Sequence, residues 1–291
     1  MIKDEKLLGM FLAGLGIFII SFDALLVKLA NTDASTITFY RGLFMGISML
    51  IVWKFSTKKI YKPINKTEKN VFILIVILSA MGTSLFVFSV KYTIPANTVV
   101  FLATSSFFAA IFTFFIIREK LQTSTLAAIV ISFIGVFIVF GGSFSIGGNL
   151  LGDMLGILLA LVMGLELTLL RKYPHFPHML IISLSGFLTA FAMFMFSEVN
   201  YMVSLESFSW LLVMGLLQMP LAMYLIFIAT KYITSAEVSL FSTIETTMAP
   251  LWLWIFLHEI PPKMTLIGGF IVILAILVNA LPKIIKKNYS S

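Results

Sequence analysis

The chain has 291 residues, 60% of them hydrophobic and 11% charged, with a mean hydropathy of +1.06. Soluble domains carry roughly 25% charged residues, so a soluble globular protein is excluded and a polytopic membrane protein is indicated. The formal charge of +7 does not mark a nucleic-acid binder, because it has meaning only once placed on a topology, and the absence of cysteine rules out a disulfide framework, a thiolate metal site or a cysteine nucleophile.

About 20 apolar residues make one helical span. On that measure the hydropathy predicts ten, at roughly 7–28, 36–54, 71–90, 95–117, 124–141, 152–170, 178–197, 208–230, 234–257 and 264–281, joined by short links. The first run, Leu7 to Val27, is too long for the apolar core of a signal peptide and contains Asp23, so it is expected to be a retained span. Asp23 lies nine residues before Thr32 in the first link, and Arg41 lies nine after it. At 1.5 Å rise per residue the two reach the same depth in an antiparallel hairpin and can pair. Such a pair is either a static brace or a gate that breaks when a cavity opens.

In the second span "GLFMG", Gly42 to Gly46, is a small-xxx-small pattern that lets helices approach closely, as is "GDMLG", Gly152 to Gly156, in the sixth. The most hydrophilic stretch, Lys54 to Asn70, is only loop-sized. If the N-terminus is cytoplasmic, all of the twenty basic residues but Lys28, Lys91, Lys263 and Arg41 fall on the inner side, and that bias predicts both termini inside. Glu166 in the sixth span has no evident counter-charge. Its expected hydrogen-bonding neighbours are Ser183 and Ser185 of the seventh, and an acid so placed suits a group that binds and releases protons. His175 and His178 flank Pro177 with no third ligand at metal spacing, so no metal site is expected. In the eighth span Gln218 and Tyr224 are candidate cavity lining.

The ninth span carries Glu245 close to its middle, with Trp252 seven residues on and hence on the same helical face. A carboxylate in hydrocarbon has to be offset by a partner, a proton or a job, and one beside an aromatic ring makes a seat for an ammonium group. Pro250 frees a backbone carbonyl and is expected to kink this helix. Glu237, near the start of the same span, reads as interfacial, and Glu119 and Glu259 as helix-end residues.

The chain also repeats itself. "KYTIPANTVVFLATSSFFAAIFTFFIIREK" from Lys91 lies over "KYITSAEVSLFSTIETTMAPLWLWIFLHEI" from Lys231, a spacing of 231 − 91 = 140, with Tyr92/Tyr232, Ala96/Ala236, Phe101/Phe241, Ala109/Ala249 and Glu119/Glu259 matched and Ser105 opposite Glu245. "LLGMFLAGLGIFIISFDALLVK" from Leu7 lies over "LLGDMLGILLALVMGLELTLLR" from Leu150, pairing Asp23 with Glu166. Each half, 1–142 and 143–291, then holds five spans. Because five is odd, the halves cross the membrane in opposite senses, the plan of secondary transporters with a site near the midplane.

These motifs resemble the drug/metabolite transporter superfamily, in its EamA-like branch, over nearly the whole chain. "MAPLWLWIFLHEIPPKMTLIGGFIVILA" from Met248 carries Pro250, Glu259 and Gly268; "AAIFTFFIIREKLQTSTLAAIVISFIGV" from Ala109 carries Glu119 and Gly135, with Ala110 where the second copy has proline. The resemblance implies a central cavity lined by spans one to four and six to nine, with five and ten outside.

The expected protein is therefore an all-α integral membrane protein of ten transmembrane helices in a 5+5 inverted repeat, in the cytoplasmic membrane of a bacterium, as a monomer or homodimer. It is expected to move a small organic metabolite, an amino acid or an amine of quaternary ammonium type, by alternating access, with protons as the coupling partner and no cofactor. Glu245, Trp252, Ser105, Gln218 and Tyr224 are the candidate substrate ligands; Asp23, Arg41 and Glu166 are the candidate gate or coupling groups. A carrier taking up a choline-like cation or a nucleoside fits the same residues. An intramembrane enzyme is the remote alternative, since there is no GxSxG, HExxH or GxxxxGK[ST] pattern.

Overall fold

A computed structural model describes residues 2–56, 65–118, 123–145, 149–229, 232 and 235–288. Glu119 and Lys231, two of the matched repeat positions, lie outside the described residues, as does the side chain of Glu237. The described chain is helical: α1 (Ile2–Ile20), α2 (Asp23–Leu29), α3 (Ala34–Ser56), α4 (Lys66–Tyr92), α5 (Pro95–Ala103), α6 (Ser105–Ile116), α7 (Thr123–Ser145), α8 (Leu150–Lys172), α9 (His178–Phe196), α10 (Leu205–Leu212), a π-helical segment over Val213–Gln218, α11 (Met219–Ala229), α12 (Ser235–Leu257) and α13 (Lys263–Asn288). Among the described residues, eight stretches are long and apolar enough to cross a membrane, including Glu5–Leu29, Pro95–Ile116 and Leu205–Ile226, each of which joins two of these helices. Two shorter apolar stretches, Ile244–Leu257 and Lys263–Val278, accompany them.

Three of the long stretches are broken inside the bundle, which the hydropathy did not predict. The first breaks at Ser21–Phe22, where the Ser21 hydroxyl turns back to donate to the Phe18 carbonyl at 2.6 Å. The second breaks at Thr104, whose hydroxyl donates to the Phe101 carbonyl at 2.6 Å. The third widens to a π-turn just before Pro220. Proline has no N–H and its ring crowds the carbonyl four residues back, and a π-bulge absorbs that misfit. Pro250 lies inside α12, which continues on both sides of it.

The helices sort their side chains by solvent. Phe115, Val130, Phe137, Phe191 and Phe270 stand exposed on the outside, where an apolar surface suits lipid rather than water. Inside, small residues and hydroxyls make the contacts. A methyl group built on Gly42 of α3 would lie 2.7 Å from the Gly186 carbonyl oxygen of α9, and one built on Gly186 would lie 2.6 Å from that of Gly42. Gly135 of α7 and Gly268 of α13 face each other's carbonyl oxygens in the same reciprocal way. Hydroxyls tie the helices further: Ser183 donates to the Gly46 carbonyl at 2.8 Å and Ser48 to that of Gly215 at 3.1 Å. Without a hydrophobic force between helices in lipid, such close contacts and bonds hold the bundle.

The links collect at two ends. At one, Lys28 bonds Glu259 at 3.1 Å beside Tyr92 and Asn149. At the other, His175 meets Glu68 at 3.6 Å and Phe176 packs edge-on against Phe72. Successive spans therefore run in alternate directions.

Candidate functional site

The break at Ser21–Phe22 decides where the polar interior forms. It ends α1 at Ile20 and starts α2 at Asp23, so the Asp23 carboxyl stands in the first turn of a short helix, at the end favourable to negative charge. Arg41 of α3 reaches it with both terminal nitrogens, Nη1 to Oδ1 at 3.0 Å and Nη2 to Oδ2 at 2.8 Å. The guanidinium also lies 5.2 Å from the centre of the Phe86 ring, and Nη1 lies 3.8 Å from the Met214 sulfur. Both partners are buried, and among the described residues Arg41 Nε–H has no acceptor.

Around the same break α12 and the π-segment bring three more groups. Trp252 donates its indole N–H to the Ser21 hydroxyl at 2.9 Å. Its ring stacks on Phe22 at 4.4 Å and meets the edge of Phe18 at 5.7 Å, so one face of the indole is already covered. Gln218 donates to the Ile19 carbonyl at 3.2 Å, a carbonyl near the end of α1, while its own buried Oε1 has no donor among the described residues. Glu245, partly accessible on α12, lies close enough to Asp23 for the two carboxyl groups to interact electrostatically. The guanidinium is bonded to Asp23, and Glu245 stands beside that pair.

Not every expected residue joins this group. Ser105 begins α6, and its carbonyl oxygen would lie 2.9 Å from a methyl group on Gly164 of α8, so its backbone faces away toward that helix. Tyr224 is 37% exposed on α11. Glu166 is buried elsewhere, on α8, and its hydroxyl partner is Ser79 of α4. The expectation that Ser183 and Ser185 serve it fails: Ser183 bonds the Gly46 carbonyl and Ser185 the Ile182 carbonyl. The physical reason is that α8 packs against α4 and α6 rather than pairing chiefly with α9.

Sequence reasoning passed over Ser21, Phe18 and Phe22, since nothing in an apolar run marks where a helix will break. It also passed over Asp153, taken as part of a packing motif. A signal existed there: the repeat sets Asp153 opposite Met10, a spacing of 153 − 10 = 143, so an acid stands where the other copy is apolar.

The sequence model of the EamA-like transporter family matches this chain twice, over residues 7–141 and 150–281. A Bacillus subtilis (strain 168) protein described as "Uncharacterized transporter YetK" is 30% identical over 234 residues, 75% of this chain and 70% of its own length. A Clostridium kluyveri protein described as "Uncharacterized transporter" is 35% identical over 86 residues, 28% of this chain and 27% of its own. A solved chain described as "Crystal structure of protein" superposes with a TM-score of 0.65 at 14% identity, over 94% of this chain and 98% of its own, which is a likeness of fold. With family matches along most of its length and a bundle of apolar helices closed around polar groups, this chain belongs to the EamA-like transporter family of the drug/metabolite transporter superfamily and is a multi-pass membrane transporter.

Proposed function

We propose that the protein carries a small organic amine, an amino acid or a quaternary ammonium compound, by alternating access between two inverted five-helix halves, 1–142 and 143–291. The observation that carries the substrate class is Glu245: a partly accessible carboxyl on α12, beside a second carboxyl, Asp23, whose only guanidinium is already engaged. The described side chains thus supply one positive charge for two acids. An ammonium group supplies the other, with the Gln218 Oε1 as a further acceptor and the Trp252 aromatic cluster as its apolar wall. An amino acid would bring in addition a carboxylate, for which the Arg41 Nε–H is a free donor.

Several features support the inverted halves. The family model matches once in each half. Gly42 and Gly186 meet each other's carbonyl oxygens at a spacing of 186 − 42 = 144, close to the 143 of the repeat, as equivalent residues beside a two-fold axis do. Contacts also come in related sets: α4 with α8 has its counterpart in α1 with α11, and α3 with α9 and α7 with α13 each join a span to its own equivalent. Broken helices near the middle of the bundle suit a midplane site. On the positive-inside rule the Glu68 end faces the cytoplasm. Glu166, hydrogen-bonded to the Ser79 hydroxyl, is the candidate proton-coupling group.

The test is transport by the purified protein in proteoliposomes. A carrier shows acceleration by substrate on the opposite side, and a channel does not. Glu245→Gln is expected to abolish exchange of amines while leaving a monodisperse, folded protein; amine exchange at the wild-type rate in that variant removes Glu245 as the cation's partner. Glu166→Gln is expected to lose the pH dependence of transport, and a wild-type pH profile removes it from coupling.

A further inference from the structure

Asp153 is fully buried in the first turn of α8, at the end read above as outer and away from the Asp23 cavity. Gly152 lets it get there: a methyl group at that position would lie 2.5 Å from the Tyr92 carbonyl carbon and 2.6 Å from the Thr93 nitrogen, so α8 starts hard against the C-terminal end of α4. The donors that reach Asp153 all converge on one oxygen. Thr93 Oγ1 donates to Oδ1 at 2.5 Å and Asn97 Nδ2 approaches it at 3.4 Å, while Thr265 of α13 donates to Asn97 Oδ1 at 2.6 Å. The other oxygen, Oδ2, is buried and has no partner among the described residues, and no basic side chain pairs with Asp153 there.

A buried carboxylate with one bare oxygen is costly unless a positive charge meets it. The surroundings are rich in oxygen of the hard kind: the Asp153 carboxylate, the Thr93 hydroxyl, the Asn97 amide oxygen, and the end of α4, whose last carbonyls carry the negative pole of that helix. With the Asn97 amide reversed, its nitrogen donates to the Thr265 hydroxyl, which accepts as well as it donates, and its oxygen turns toward Asp153. A pocket of about 250 Å³ opens between Lys28, Tyr92, Thr93, Ile94, Pro95, Asn149 and Glu259. Thr93 is common to its wall and to the bond on Asp153, and Glu259, held by Lys28 at 3.1 Å, places a carboxylate in its lining.

We propose that Asp153, Thr93 and Asn97 form a binding site for a monovalent cation of sodium's kind, entered from the pocket at Glu259. A single carboxylate matches a single positive charge, whereas calcium gathers six to eight oxygens, usually from several acids. Sites of this sort in transporters use helix ends and unwound carbonyls for the ion. The site stands apart from the amine cavity, so it holds whichever amine that cavity takes.

The test is thermal unfolding of the full-length detergent-purified protein, with sodium chloride replaced stepwise by caesium chloride at constant ionic strength, caesium being too large for a sodium-sized site and no amine. A ligand that binds the folded state raises its apparent stability saturably. Sodium is expected to raise Tm in this way and caesium is not. Asp153→Asn is expected to lose the rise, and Thr93→Val to shift its midpoint to roughly tenfold higher sodium, with Thr93→Ser close to wild type. If Asp153→Asn does not yield folded protein, the two Thr93 variants decide. A wild-type protein indifferent to sodium, a sodium response unchanged in Asp153→Asn, or equal responses in Thr93→Val and Thr93→Ser overturns the proposal. So does stabilisation by lowered pH alone, which marks a proton site.

Discussion

Arg41 grips Asp23 with two parallel hydrogen bonds, 3.0 and 2.8 Å long, across the first helical hairpin, and both side chains are almost wholly removed from solvent. Removing one partner strands the other as a buried unpaired charge, which costs about 3–5 kcal/mol, whereas replacing both by apolar groups is far less damaging. Asp23→Leu and Arg41→Met are each expected to lower Tm strongly in a thermal-unfolding assay, and the double variant to recover most of the loss. The double variant also separates brace from gate. A brace leaves the transport rate of the recovered protein near wild type, and a gate leaves it folded but with an altered rate.

The reciprocal glycine contact between α3 and α9 makes a second expectation. With a methyl group at either position forced to within 2.7 Å of a carbonyl oxygen, Gly42→Ala and Gly186→Ala should each destabilise by about 1–3 kcal/mol through overpacking. Because the two share one contact, the double variant should lose less than the sum. Gly141, whose added methyl group meets nothing within 4 Å, is the control. There the alanine should be neutral or stabilising by up to about 1 kcal/mol in the same assay.

The fold was legible in the sequence where it depends on composition and depth, and illegible where it depends on packing. Apolar runs of span length and the count of residues on either side of Thr32 sufficed to set Asp23 against Arg41. The small-xxx-small pattern Gly42–Gly46 signalled a close helix contact, but nothing in it says that Gly42 meets Gly186 rather than a lipid tail. The breaks at Ser21 and Thr104 are single hydroxyls that bond their own chain in place of a helix ladder, and such residues are common in spans that stay straight. Glu166 shows the same limit: its own span was evident, but the helix that serves it, α4, is a tertiary neighbour that no local pattern encodes.

Asp33, in the link between α2 and α3, ties stability to pH. Its Oδ1 accepts the Thr36 backbone N–H at 2.8 Å and its Oδ2 the Thr32 hydroxyl at 3.3 Å, so it caps α3. Partial burial works to raise its pKa, but the hydrogen bonds from Thr36 and Thr32 outweigh this and hold the carboxyl below the ordinary carboxylate range. A group with a lowered folded pKa stabilises above its unfolded value, about 3.9, and that stabilisation is lost as pH falls through the folded one. The Tm gap between wild type and Asp33→Ala, equivalent to about 1 kcal/mol for a lost cap, should be constant above about pH 5 and shrink below about pH 4. Asp33→Asn keeps the cap and should show no such change.

Trp252 holds its place by two different interactions, an indole N–H donated to Ser21 at 2.9 Å and a ring stacked on Phe22 at 4.4 Å, and the two can be removed separately. Trp252→Phe loses the first and keeps an aromatic face; Trp252→Leu loses both. If the aromatic wall helps hold an ammonium group beside Glu245, the leucine variant should bind amines roughly tenfold more weakly, because a cation–π contact is worth about 0.5–2 kcal/mol and each 1.4 kcal/mol is a factor of ten. The phenylalanine variant should lose much less, and Ser21→Ala should match it. Amine titrations followed by thermal shift read affinity and stability together. Equal affinities across all three variants, with only Tm lowered, would make Trp252 a packing residue of the α1–α12 contact and leave Glu245 to hold the cation alone.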